Sequence, residues 1–176
     1  MKETESSQNF PMMGKVEMDE TDVGGQDDQA LGRNERNEKI MVVGIERGLV
    51  GVSRWYGRVI ETASKINLGG FMKDHIDKDA QVKTDCWSGY KGMEAHFPKL
   101  VREKSGKKGE NFKQMHRVII MVKAWMRGTH HPVRDLQPYI NEYTYRYNRH
   151  KMKEGIFENL LQRMVAMPPY PYKAFI

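Results

Sequence analysis

Along residues 14–25, GKVEMDETDVGG, Val16 and Met18 alternate with Glu17 and Asp19. A two-residue period of this kind predicts a strand with one face buried and one face free, closed by the Gly24-Gly25 pair. Gln26 to Glu38 lacks apolar periodicity and reads as a loop. KIMVVGIE over 39–46 is a near-continuous, β-branched apolar run, the pattern of a central strand covered on both faces. Gly48 and Gly51 mark a turn, and VSRWYGRVI over 52–60 reads as a third strand, completing an antiparallel meander.

Beyond the meander the periods lengthen. Thr62 to about His75 is helix-like, carrying Ala63, Ile66, Phe71 and Met72, although Gly69-Gly70 weakens it. AQVKTDCW over 80–87 predicts a short strand in which Val82 and Thr84 point one way and Lys83 and Asp85 the other. Trp87 to Ala95 reads as a short helix and His96 to Val101 as an edge strand. From Phe112 to Arg127 the residues Phe112, Met115, Ile119, Val122 and Met126 recur at steps of three and four, the stripe of a core-facing helix. Two further helices are predicted: Asp135 to His150, with Leu136, Ile140, Tyr143 and Tyr147 on one side and a Glu142–Arg146 pair, and Ile156 to Val165. Residues 1–13 read as a flexible lead-in and 167–176 as a proline-rich tail, leaving one domain over 14–166.

Charge changes this picture in one respect. In residues 1–38 ten acids stand against Lys2, Lys15, Arg33 and Arg36, so the net charge of +6 divides into −6 at the front and +12 in the body. A basic body suits a polyanion, because Lys and Arg neutralise phosphates and release counterions. Lys104, Lys107, Lys108 and Lys113, with Arg102, surround two glycines in a stretch that can follow a phosphate backbone; a solvated loop is the alternative. Cys86, the single cysteine, reads as a small apolar filler and excludes a multi-thiolate zinc site. No apolar run approaches a membrane span and the N-terminus lacks the features of a signal peptide, so a cytoplasmic protein is expected.

Asp19 is an acid inside a strand, which is costly unless a metal or a paired group offsets its desolvation. Asp85 is a second acid at the end of a second strand. His116 and Lys123 lie seven residues apart on the clearest helix, nearly the same angle, and adjoin its apolar stripe. A lone histidine there would read as a hydrogen-bonded core residue, but a lysine two turns on, aimed at the same region, calls for an anion. Two carboxylates from adjacent strands can bridge a pair of divalent cations for phosphodiester cleavage. The paired His130-His131 reads as ordinary loop, and the tyrosines 139, 143, 145 and 147 as a mixture of core residues and possible base-stacking rings.

The words GKVEMDETDVGG, VKTDCWSGY and HRVIIMVKAWMRGTHHPVRDLQPYINEYTYRYNRH resemble, in this order, the bacterial insertion-sequence transposases of the ISXO-two-like DDE family. The resemblance runs from about Gly14 to Val165. It implies an α/β, ribonuclease H-like fold, a mixed central sheet flanked by helices, and a DNA transposase that cleaves at element ends and joins the freed 3′-hydroxyl to target DNA. Asp19 and Asp85 match the first two acids of the triad, and His116 falls on the third place with Lys123 as the following basic residue. A histidine there departs from the usual Glu or Asn and suits Mn²⁺ better than Mg²⁺; Glu110 and Asn111 are the substitutes if the helix begins earlier. Two ions held by Asp19, Asp85 and His116, phosphate contacts from Lys123, Lys104, Lys107, Lys108, Lys113 and Arg127, and a homo-oligomer on DNA follow from the resemblance. Relatives carry a zinc ribbon and helix-turn-helix ahead of the catalytic domain, so a truncated frame or isolated catalytic domain is expected here. The alternatives left open are a non-catalytic DNA-binding remnant and a ribonuclease H-like nuclease.

Overall fold

A computed structural model describes residues 10–23, 39–129 and 135–168. The expected Gly24-Gly25 punctuation, the loop over 26–38, the His130-His131 connection and residues 169–176 of the tail lie outside the described residues.

Five strands form one sheet: β1 (Lys15–Val23), β2 (Lys39–Arg47), β3 (Val52–Ile60), β4 (Gln81–Thr84) and β5 (Val101–Arg102), in the order β3-β2-β1-β4-β5. The meander predicted from the first three runs is present, with β1–β2 and β2–β3 antiparallel; β4 then joins β1 in parallel and β5 joins β4 in parallel. Four helices complete the described chain: α1 (Lys65–His75), α2 (Lys113–Thr129), α3 (Gln137–Asn148) and α4 (Gly155–Ala166). This mixed sheet, three antiparallel strands extended by parallel ones after a helical crossover, is the ribonuclease H-like arrangement.

Helices cover both faces of the sheet. Val16, Met18 and Val42 pack with Leu68, Phe71 and Met72 of α1, while Met41, Val43, Ile45 and Trp55 pack with Phe112 just ahead of α2, Met115, Val118 and Val122 of α2, Leu136 just ahead of α3 and Ile140 of α3. The one free face expected for β1 is therefore corrected: β1 is central in the sheet, and even Glu17 on its second face is buried. Each fully buried ring such as Trp55, Phe71 or Phe112 stabilises by roughly 2–3 kcal/mol. The exposed Glu142–Arg146 pair, present at 2.6 Å, contributes only about 0.3–0.5 kcal/mol. Packing, not surface charge, holds the layers.

Several boundaries differ from the pattern. α1 begins at Lys65, where the Ser64 hydroxyl caps Asn67 N, and its buried side is Leu68, Phe71, Met72 and His75, with Ile66 facing solvent. Residues 88–90 form only a 3-10 turn in place of the short helix expected to Ala95, and the edge strand shrinks to Val101–Arg102. The lead-in docks from Phe10 onward. Met12 is fully buried, bridges Ile76, and seats its methyl over Gly44, where a Cβ would come within 2.6 Å of it. Arg54 donates to the carbonyls of Phe10 and Pro11, which pins this stretch to β3 although the Phe10 side chain stays exposed.

The outer edge of β3 is closed by amide side chains from α3. Asn148 Oδ1 accepts from Trp55 N at 3.0 Å and its Nδ2 donates to Trp55 O at 2.9 Å; Gln137 does the same for Val59 N and Gly57 O. An exposed ladder edge is thereby satisfied by the helix that covers it. Tyr145 is 2% exposed and donates to Asn159 of α4, so it belongs to the core side of the tyrosine run.

Candidate functional site

The parallel ladder between β1 and β4 runs from Lys15–Gln81 to Met18–Thr84 and stops. The next residue on each strand is an acid, Asp19 and Asp85. Adjacent strands lie about 4.8 Å apart, so two carboxylates at matched positions share one neighbourhood. Alternation also gives them one face. Val23 packs in the layer under α2, which puts Thr21, Asp19 and Glu17 on that side, and the Lys83 ammonium stands 4.9 Å over the Phe112 ring, which puts Asp85 there too.

The electrostatics agree with this proximity. Burial raises the pKa of Asp19 most; the bond its Oδ1 accepts from Glu20 N at 2.9 Å lowers it, the charge of Asp85 raises it, and His116 lowers it. Asp85 is held by its own turn, Oδ1 accepting from Trp87 N at 2.9 Å. Neither carboxylate has a Lys or Arg within ion-pair distance among the described residues.

His116 sits at the end of the first turn of α2, half-buried beside Met115, near enough for its charge to act on Asp19. Its Nε2 is buried without a hydrogen-bond partner and lies against Gly109, whose left-handed backbone (φ +72°) leaves the space a Cβ would fill; an ideal Cβ would stand 2.3 Å from that nitrogen. Of the two substitutes, Asn111 is committed to its loop, its side-chain Nδ2 donating to Lys104 O and its backbone carbonyl accepting from Lys83 Nζ at 3.0 Å, and Glu110 is exposed. Among the described residues no group of three or more His, Cys, Asp and Glu side chains is gathered closely enough to hold a metal ion. The three candidates are thus neighbours rather than a closed cluster. The donor chemistry nonetheless fits a divalent cation: two oxygen donors without a cationic partner, one of them desolvated, and an orphaned buried imidazole nitrogen.

Lys123, two turns beyond His116, is half-buried on the same helix. Lys104, Lys107, Lys113 and Arg127 are exposed, and the side chain of Lys108 lies outside the described residues. The basic stretch is not a plain loop: it closes into a 3-10 turn over Lys107–Phe112, pinned by the Lys83–Glu103 ion pair at 2.9 Å. Cys86, expected as an apolar filler, is exposed, because the chain turns outward after Thr84.

Two residues that matter here were not singled out by sequence. Glu20, next to Asp19 but on the α1 side of the sheet, accepts a short hydrogen bond from the hydroxyl of fully buried Tyr90. Burial raises the Glu20 pKa to about 7; the Tyr90 bond opposes that shift, and the charges of Asp19 and Asp85 add to it. The available signals were the Glu in DET and the final Tyr of TD-x-W-x-x-Y. Glu17 is buried too, paired at 2.5 Å with Arg47, and its Oε2 has no partner.

The ISXO2-like transposase domain family matches residues 11–148. A solved structure, the HTLV-2 integrase catalytic core domain in complex with magnesium in its trimeric form, is similar at 10% identity and a TM-score of 0.46, covering 80% of this chain and 88% of that one. Among curated proteins none matches the chain. Among the described residues no helix is long and apolar enough to cross a membrane.

Proposed function

The chain belongs to the ISXO2-like transposase domain family, and from that premise we propose that it is a DDE-type DNA transposase, cutting phosphodiesters at insertion-sequence ends and joining them to target DNA with Mg²⁺ or Mn²⁺. The observation that carries this reading is the pair Asp19 and Asp85, side by side past the end of the parallel ladder, each without a cationic partner among the described residues.

In this reading Asp19 and Asp85 hold the divalent ions and His116 is the third donor. Bound there, the ions would supply the positive charge that activates the attacking oxygen and stabilises the leaving one. The residues themselves bind and orient. Burial of Asp19 strengthens its attraction to a cation, since a desolvated carboxylate gains more from a counter-charge than a hydrated one. Lys123 meets a phosphate near the cut. Lys104, Lys107, Lys108, Lys113 and Arg127 follow the backbone on either side, a salt-dependent contribution that positions DNA without reading its sequence. Two element ends must be held together, so the active form is an oligomer assembled on DNA.

The test is cleavage and joining of DNA carrying the element's terminal repeats, with Mg²⁺ or Mn²⁺, for the intact protein and for Asp19→Asn and Asp85→Asn. Products that depend on both acids support the reading. Activity surviving either change overturns it. DNA binding without cleavage by the intact protein identifies a non-catalytic remnant instead.

A further inference from the structure

The motif TDCWSGY places one acid, Asp85, and then five residues that touch no substrate in the proposed function. Their anchoring contacts end on two parts of the fold, the start of α1 and β1. Trp87 is half exposed, so burial does not explain it, yet its Nε1 donates to Ala63 O at 2.9 Å just ahead of α1. Gly89 passes so close to the same place that a Cβ would stand 2.8 Å from Ala63 O and from Leu68 Cδ1. Tyr90 reaches through the core to Glu20, the residue after Asp19. The backbone closes the turn between them, Tyr90 N donating to Trp87 O.

The segment carrying Asp85 therefore has two ties beyond the ladder, one to the start of α1 and one to β1 itself. A strand pair that ends at Met18–Thr84 leaves the next residues to drift apart unless something holds them. Glu20 and Tyr90 supply that hold from the α1 side of the sheet, within reach of the charges of both acids. We infer that Tyr90 and Trp87 are positioning residues: the Tyr90–Glu20 bond straps the Asp85 turn to β1 and fixes the Asp19–Asp85 separation, preforming the cation site before metal or DNA arrives. The metal half of this inference rests on the proposed function; the strap does not.

Two measurements on the whole chain separate them. Hydrogen exchange without metal should show the amides of Cys86 to Tyr90 protected in the parent protein, exposed several-fold faster in Tyr90→Phe, which keeps the ring and loses the hydroxyl, and still protected in Glu20→Gln, which keeps an acceptor. Calorimetric titration with Mn²⁺ should show Tyr90→Phe binding about tenfold more weakly, the usual cost of losing a group that orients a ligand. Trp87→Phe should weaken Mn²⁺ binding in the same direction and, at a half-exposed position, folds even where Tyr90→Phe does not. Unchanged exchange in Tyr90→Phe overturns the strap. Faster exchange or a lower Tm with unchanged Mn²⁺ affinity reduces both residues to structural ones and overturns the positioning role. A parent protein that binds no Mn²⁺ overturns the proposed function, while the exchange comparison still decides the strap.

Discussion

Asp19 and Asp85 stand one residue beyond the last matched pair of two parallel strands, so the end of the ladder brings two like charges together inside the fold. The metal-free protein bears that repulsion together with the burial of Asp19. The Asp19 pKa is raised, so its contribution to stability is complete below its unfolded value and is lost as pH rises through the folded one. Asp19→Asn should therefore raise the Tm of the metal-free protein at neutral pH while abolishing stabilisation by Mn²⁺. A thermal melt of both proteins with and without the ion reads both effects. An unchanged metal response in the variant contradicts the ligand assignment.

Gly109 and His116 give a second prediction. Alanine at 109 meets the imidazole at 2.3 Å and must also hold φ +72°. The expected destabilisation is about 1–2 kcal/mol, part from backbone strain and part from the displaced ring. In a His116→Ala background the second part disappears, so denaturant titrations should give a smaller cost for Gly109→Ala there. Equal costs in both backgrounds would show that the ring does not rest on Gly109.

On the other side of the sheet, His75 predicts the acid limit of stability. Burial, then the Arg58 charge, depress its pKa to about 4, with Asp74 opposing. Arg58 Nη2 lies 2.9 Å from His75 Nε2, which accepts only while neutral. The folded pKa lies below the unfolded value of about 6.5, so this contribution is complete above pH 6.5 and is lost as pH falls toward 4. Over that window the loss is on the order of 3 kcal/mol. Substituting Gln should flatten the curve of ΔG against pH between those limits, measured without metal.

The basic surface is tested by salt. Replacing Lys107 and Lys113 by Ala should weaken DNA binding alike for all sequences and reduce the slope of log K against log salt by about two. Fluorescence anisotropy at several salt concentrations measures this, and an unchanged slope removes both residues from the DNA path.

Strands β2 and β3 and helices α2 and α3 were legible because their apolar spacing and their burial have one cause, a sheet covered on both faces. The acids were legible because charge inside an apolar pattern is costly. The neighbourhood of Asp19 and Asp85 depended on the parallel pairing of β1 with β4, which no local pattern encodes; the placement of the acids pointed to adjacent strands, and the family resemblance gave the acids their roles. Tyr90 was passed over for the same reason. Its partner Glu20 is far away in sequence and on the α1 side of the sheet, so only the fold reveals that two motif residues meet. Cys86 and Ile66 misled because composition marks them as apolar, whereas the turn after Thr84 and the phase of α1 point them outward.

The strand order also sets the sequence of events in folding. β1, β2 and β3 follow one another and pair with their chain neighbours, so that half of the sheet needs only local loop closure. β4 pairs with β1 across 66 positions of sequence, a long-range closure that is entropically slower. The two acids therefore meet late, and their repulsion raises the final barrier rather than the first. Neutralising Asp85 would quicken the last phase of refolding, read by stopped-flow fluorescence, and leave the meander's formation untouched, which would make this pair of carboxylates a kinetic brake on the fold that contains it.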